Sequence, residues 1–174
     1  MRAFFLLILL ISMASCGSSA VVDFDKTADF SSLDSYDYYP GIQSGLNPFD
    51  DRRMMRAIDS VMEVRGLRQS INPDLLINFY TEEYITESNT TIGIGIGGGS
   101  GNVGYGVSGG IPVGGNEIRQ LVTLDLIDVR KDALIWQGVI VANIQENASP
   151  EDKECYFQQI ISKLLKEYPP PEQR

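Results

Sequence analysis

The sequence predicts an α+β domain: a mostly antiparallel sheet with two helices packed on one face and a glycine-rich insert between two strands. Three observations carry this. Residues 121–144, LVTLDLIDVRKDALIWQGVIVANI, form the longest run dense in β-branched, leucine and aromatic residues after the N-terminus. Only Arg130, Lys131 and Asp132 break it, so it reads as one β-hairpin. Two further stretches, opening at Asn47 and at Ser149, combine a capping residue, an apolar stripe at helical spacing and a stop signal. The order strand, strand, helix, strand, hairpin, helix then gives helices layered on a sheet.

At 174 residues the chain has room for one domain with a core. It carries 14 basic against 23 acidic residues, a net charge of −9, and that surface repels phosphate backbones, so no nucleic-acid partner is expected. Histidine is absent from the sequence, which removes the commonest general base and metal ligand. No cofactor and no metal are expected.

Residues 1–15 join Arg2 to an apolar run at 3–11 that is too short to span a bilayer, and read as a secretory signal peptide. The run exits through Ser12-Met13-Ala14-Ser15-Cys16-Gly17, small residues closing on a cysteine. This resembles a bacterial lipoprotein lipobox, which implies that Cys16 is lipidated, with acyl chains such as palmitate, and starts the mature chain on a tether at 16–20. Met13 departs from the aliphatic residue usual at its position. Each buried CH₂ contributes ~0.8 kcal/mol, so several acyl chains hold a protein on a membrane without a spanning helix. Gly17 is not aspartate, and resemblance to the enterobacterial sorting rule then implies the outer membrane, facing the periplasm. With Cys16 lipidated, Cys155 has no partner in its own chain, and a homodimer bridged through Cys155 becomes available.

The single domain is expected over residues 21–168, with a tail at 169–174. Val22 and Phe24 alternate with Asp23 and Asp25 in a first half-buried strand, and Tyr36, Tyr38 and Tyr39 before Pro40 suggest a second. Asp23, Asp25, Thr27 and Asp29 are spaced like calcium ligands, but Ala28 stands where such a loop needs glycine and Asp34 where it needs glutamate. In the first helix Asn47 caps, Pro48 fits the first position, and Asp50 and Asp51 face the positive end of the dipole. Met54, Ile58, Val61 and Met62 should face the sheet, and Gly66 ends the helix. Residues 67–71 suggest a short edge strand, and Asn72-Pro73-Asp74 a turn. Residues 75–87 read as a strand with Leu75, Ile77 and Phe79 on one face and Leu76, Tyr80 and Tyr84 on the other. In the hairpin, Leu134, Trp136, Ile140 and Ala142 should share one face and Ile135, Val139 and Val141 the other, so both faces bury something and the strand belongs inside the sheet. In the last helix Ser149 caps, Pro150 and Asp152 follow, and Phe157, Ile160, Ile161, Leu164 and Tyr168 make the apolar stripe. Cys155 lies opposite that stripe and should be exposed.

Taken in order, the strand with Asp23-Phe24-Asp25, the tyrosine-rich stretch to Pro40, NPFDDRRMMRAIDSVMEVRGL, NPDLLINFYTEE, the glycine-rich insert, LVTLDLIDVRKDALIWQGVI and the last helix resemble a bacterial lipoprotein family known as domain of unknown function 4136. The resemblance covers residues 21–169. Its most specific pieces are Asp74-Leu75-Leu76, Asp125-Leu126-Ile127-Asp128 and Leu134-Ile135-Trp136-Gln137-Gly138. It implies a small lipid-anchored α+β domain in the envelope and brings no catalytic residues.

The insert, a glycine-rich loop at 92–116, contains two stretches that fit GxGxxG, starting at Gly93 and Gly104. Neither opens a helix after a strand, and no basic residue lies between Ile92 and Glu117 to meet a phosphate, so no dinucleotide is expected. Two readings stay open: a mobile loop, or a hairpin tip through which Ile92, Ile94, Ile96, Val103, Tyr105, Val107, Ile111 and Val113 meet a membrane or an envelope partner. The function expected is a lipid-anchored, non-enzymatic binding or assembly module of the envelope. The alternative is a hydrolase acting on cell-wall glycan through Glu82, Glu83 or Asp125, which requires two acids about 5–10 Å apart in a cleft.

Overall fold

The computed structural model describes residues 20–86, 91–94, 109–112 and 117–170. The signal peptide at 1–15, Cys16 and its tether up to Ser19, much of the insert, and residues 171–174 lie outside them.

The chain runs β1 (Val21–Phe24), a 3-10 turn (Phe30–Ser32), β2 (Ser35–Tyr38), α1 (Pro48–Val64), β3 (Arg68–Gln69), β4 (Leu75–Thr86), β5 (Thr91–Ile94), β6 (Gly109–Pro112), β7 (Glu117–Asp128), β8 (Ala133–Gln145) and α2 (Pro150–Leu164), which closes in a 3-10 turn at Leu165–Glu167. Six strands form one sheet in the order β1-β8-β7-β4-β2-β3. The fold is α+β as expected, but the sheet is mixed. β1, β8, β7 and β4 pair antiparallel, whereas β2 runs parallel to both β4 and β3. The cause is α1, which lies between β2 and the strands beside it: a chain that leaves a strand through a helix and returns to the same sheet edge comes back parallel.

One face of the sheet is dry. Leu75, Ile77 and Phe79 of β4, Val122, Leu124 and Leu126 of β7, and Trp136 and Ile140 of β8 are buried on it with Met54, Ile58 and Met62 of α1 and Phe157, Ile160, Ile161 and Leu164 of α2. Both helices therefore cover the same face, each through its predicted stripe. Their starts follow local chemistry. Asn47 Oδ1 accepts from the backbone N–H of Phe49 and Asp50, at 3.0 and 3.1 Å, and Ser149 Oγ accepts from the N–H of Asp152 at 3.1 Å. Tyr36 and Tyr38 of β2 both donate to Asp59 of α1, at 2.9 and 2.7 Å, which fixes the helix over its strand. Burial, and then the Asp59 carboxylate, push both phenols above the usual tyrosine range.

Asp50 does more than sit near the helix dipole. It is 5% exposed, and it pairs with Arg53 at 2.7 Å and with Lys153 of α2 at 3.0 Å while accepting from Asn47 Nδ2 at 2.6 Å. Burial alone would raise its pKa. The hydrogen bonds from Lys153, Asn47 and Arg53 outweigh that and hold the carboxyl below its ordinary value.

Leu134 is corrected. It was expected to share the buried face of Trp136, yet it is 50% exposed and Ile135 is buried in its place. The register jumps here: Leu126 opposes Trp136 while Ile127 opposes Leu134, so Ile135 is the extra residue of a β-bulge. A bulge shifts the alternation by one position, and two consecutive residues, Ile135 and Trp136, turn into the core. The hairpin turn also begins earlier than composition suggested. Asp128 accepts from the N–H of Arg130 and Lys131, at 2.8 and 3.2 Å, and Val129 lies outside the strand and exposed.

The insert contains backbone pairing. β5 and β6 form a two-stranded antiparallel sheet in the same register as β4 and β7: Thr86 opposes Glu117 and, after four residues on each side, Thr91 opposes Pro112. Ile92 opposes Ile111 and Gly93 opposes Gly110. Of the two readings left open at 92–116, a mobile loop or a hairpin tip, the described residues have hairpin pairing at these positions. At the other end, Pro170 is buried, so packing continues past the boundary expected at 168.

Candidate functional site

The strands of the sheet differ in length, and that difference makes a site. β8 has 13 residues, β1 only four. Their pairing stops where Val21 opposes Val139, so among the described residues no strand lies beside the outer edge of β8 beyond that point. α2 passes the same edge on the helical side. Between them lies a groove of about 660 Å³ lined by Val21, Val139, Val141 and Ala142 from the strands and by Tyr156 and Ile160 from the helix. Its polar lining is Arg119, Asn143, Gln159 and Lys163, with no carboxylate among the described residues.

Arg119 stands on β7 two residues after Glu117, where that strand leaves the insert, and it opposes Asn143 on β8. Lys163 is in the last turn of α2. Both are exposed, and neither forms an ion pair among the described residues, although the chain is acidic. One wall is held by a chain of hydrogen bonds. The Tyr156 hydroxyl donates to Gln120 Oε1 at 2.8 Å, and Gln120 Nε2 donates to Glu83 Oε1 at 2.5 Å. Gln120 is 4% exposed, so its amide is satisfied from both sides rather than left unpaired in the core. Burial, and then the Glu83 charge, raise the Tyr156 phenol and keep it neutral. The groove wraps the edge of β8, with Arg119 on the open face of the sheet and Lys163 on the helical side, and this apolar and cationic lining suits an anionic, partly apolar ligand.

The carboxylates considered for hydrolysis are not brought together. Glu82 and Glu83 are consecutive on β4 and point to opposite faces, and Glu83 is the acceptor for Gln120. Asp125 is on the open face with Glu82, but opposes Asn78, four residues along β4, or about 13 Å at strand rise. It accepts from Gln137 Nε2 at 2.8 Å and lies 3.3 Å from Asn78 Nδ2. The calcium-like spacing resolves into local turns: Asp25 accepts from Thr27 N–H at 2.8 Å and Asp29 from Ser31 N–H at 3.1 Å. Cys155 is exposed, as its helical position requires, and its Sγ accepts from Gln159 Nε2 at 3.1 Å. Cys16 lies outside the described residues. Among those described, no helix is long and apolar enough to cross a membrane.

The groove was not foreseen. Arg119 and Lys163 stand on different elements, and no local pattern marks them; the only signal was that both are cations in an acidic chain.

The family model for a domain of unknown function (DUF4136) matches residues 20–170. The chain belongs to that family. No curated protein matches. Among solved structures, a PDZ domain protein from Parabacteroides distasonis aligns over 94% of this chain and 39% of its own length, with a TM-score of 0.54 and 12% identity. This chain thus spans about two-fifths of that protein, and the likeness is one of fold. Two PelC dodecamer structures from Paraburkholderia phytofirmans align over 86% of this chain and 96% of theirs, at 12% and 13% identity and TM-scores of 0.46 and 0.49.

Proposed function

We propose that this chain is a lipid-anchored, non-enzymatic module of the bacterial envelope that binds or helps assemble another envelope component. In this reading Cys16 carries the acyl chains and the domain hangs from the outer membrane on the periplasmic side. The observation that supports it is the direction of β1, which, traced back from Phe24 to Val21 toward Cys16, runs along β8 from Trp136 to Val139, away from the β7–β8 turn. Val21 lines the groove and lies five residues after Cys16, a reach of about 17 Å for extended chain. Arg119, on the same groove, is two residues from the point where β7 leaves the glycine-rich insert. β1 thus points back toward Cys16 on the same side of the groove as the end of β7 that joins the insert, and away from the β7–β8 turn.

Photocrosslinking in intact envelopes tests it. A crosslinker at Gln159 in the groove should capture an envelope component, and one at Lys131 in the far turn should not. Capture from Lys131 alone would overturn the placement. A chain that stays soluble after export would overturn the anchor.

A further inference from the structure

We infer that the groove between α2 and the outer edge of β8 holds the phosphate headgroup of an anionic phospholipid, met by Arg119 and Lys163. Val21, Val139 and Val141 receive the first carbons of its acyl chains. This rests on the reading that Cys16 anchors the chain, because the anchor brings this particular groove to the headgroups.

Three observations support the choice of ligand. The first is charge. The chain has 14 basic and 23 acidic residues, yet among the described residues the groove is lined by two cations and no acid. Arg119 and Lys163 have no carboxylate partner among the described residues, whereas Arg53, Arg56 and Lys153 are each paired with Glu154 or Asp50. Arg52, Lys131 and Lys166 also form no ion pair among the described residues, so what sets Arg119 and Lys163 apart is that they line one groove, where together they can meet an outside anion. The second is the floor. Val21, Val139 and Val141 make an apolar strip next to the cations, which a free phosphate would not use and an acyl chain would cover. The third is reach. Val21 is on the rim of the groove, and the four residues between it and Cys16 cannot carry that rim more than about 17 Å from the acylated cysteine. Polybasic segments next to a bilayer gain about 1 kcal/mol per Lys or Arg from anionic lipid. Two cations alone would be weak, and the tether makes up the difference by raising the local lipid concentration.

The test uses the full chain exported and extracted from membranes, then placed in nanodiscs of phosphatidylglycerol or of phosphatidylcholine. Each lysine is labelled with limiting acetylating reagent and read by mass spectrometry, which also reports the acyl mass on the Cys16 peptide. Lys163 should label at least threefold more slowly in phosphatidylglycerol, while Lys131 in the far turn should label equally in both. Arg119→Gln should remove most of the protection of Lys163 without altering Lys131. Equal labelling of Lys163 in the two lipids, on a chain whose Cys16 peptide is acylated, overturns the inference. So does the same protection in phosphatidylcholine discs supplied with inorganic phosphate, which would make the ligand a free anion. A Cys16 peptide without acyl mass would sink the anchor reading by itself. The groove would then be judged by Lys163 protection in solution with dihexanoyl phosphatidylglycerol against its phosphatidylcholine analogue, and no difference there would reject the site too.

Discussion

A β-carbon on Gly138 would stand 2.5 Å from Cη2 of Trp136, so β8 passes beneath that indole only because residue 138 has no side chain. Leu164 of α2 closes the same space from the other side, at 2.9 Å. The Trp-Gln-Gly step is therefore a packing device in which the indole folds over its own strand and the last helix seals it. Gly138→Ala should cost about 1–3 kcal/mol by overpacking, and Trp136→Ala about 3–5 kcal/mol by the cavity it leaves. Because the two residues share one contact, the double variant should lose less than the sum of the single losses in chemical denaturation. Strict additivity would show that the indole does not lie on Gly138.

Acid should unfold the domain partly through Asp50. Its pKa is held below the ordinary carboxylate value, about 3.9, so the stability it contributes is fully present above about pH 4 and is lost as pH falls through its folded value. Asp50→Asn should lower stability at pH 7 by about 1.5–3 kcal/mol, the worth of hydrogen bonds to a charged group, and flatten the decline below pH 4. An unchanged acid limb in the variant would mean that other carboxylates carry the transition.

Cys16→Ser should move the protein from the membrane fraction to the soluble one and abolish incorporation of labelled palmitate. The helices of the described domain supply no substitute anchor. Retention of the variant in membranes would refute the anchor.

Replacing residues 92–115 by a short glycine-serine turn should leave the melting temperature nearly unchanged. β4 and β7 are already paired from Leu75–Asp128 to Thr86–Glu117, and loop closure depends weakly on length. A large drop would show that β5 and β6 support the main sheet.

Cys155 should react with maleimide in the folded protein at close to the rate of a free thiol, since it is exposed on α2 and its sulfur accepts a single hydrogen bond among the described residues, from Gln159. Non-reducing electrophoresis of membranes with thiols blocked before lysis should then show a band at dimer mass. Slow labelling would mean that a neighbouring surface covers the thiol in solution.

The parts legible in the sequence were those whose causes are local. Asn47 and Ser149 cap their helices through side chains acting two or three residues away, and the stripes at Met54 to Met62 and Phe157 to Leu164 repeat within each helix, so both could be read directly. Cys155 followed from helical angle alone. What escaped depended on partners far along the chain. The bulge at Ile135 is invisible in a run where Leu134, Ile135 and Trp136 are all apolar, because only pairing with β7 decides which of them turns inward. The parallel placement of β2 depends on where α1 lands. The groove arises from a mismatch between the lengths of β1 and β8, and its two cations come from β7 and α2.

The pairing of β1 with β8 also has a bearing on how the protein is made. Val21 is among the first residues of the domain to be synthesised, and its partner Val139 follows only after most of the domain has been made. Until then the first strand has no neighbour, so β1 is the last piece of the sheet to be seated, and the groove beside it exists only once synthesis is nearly complete.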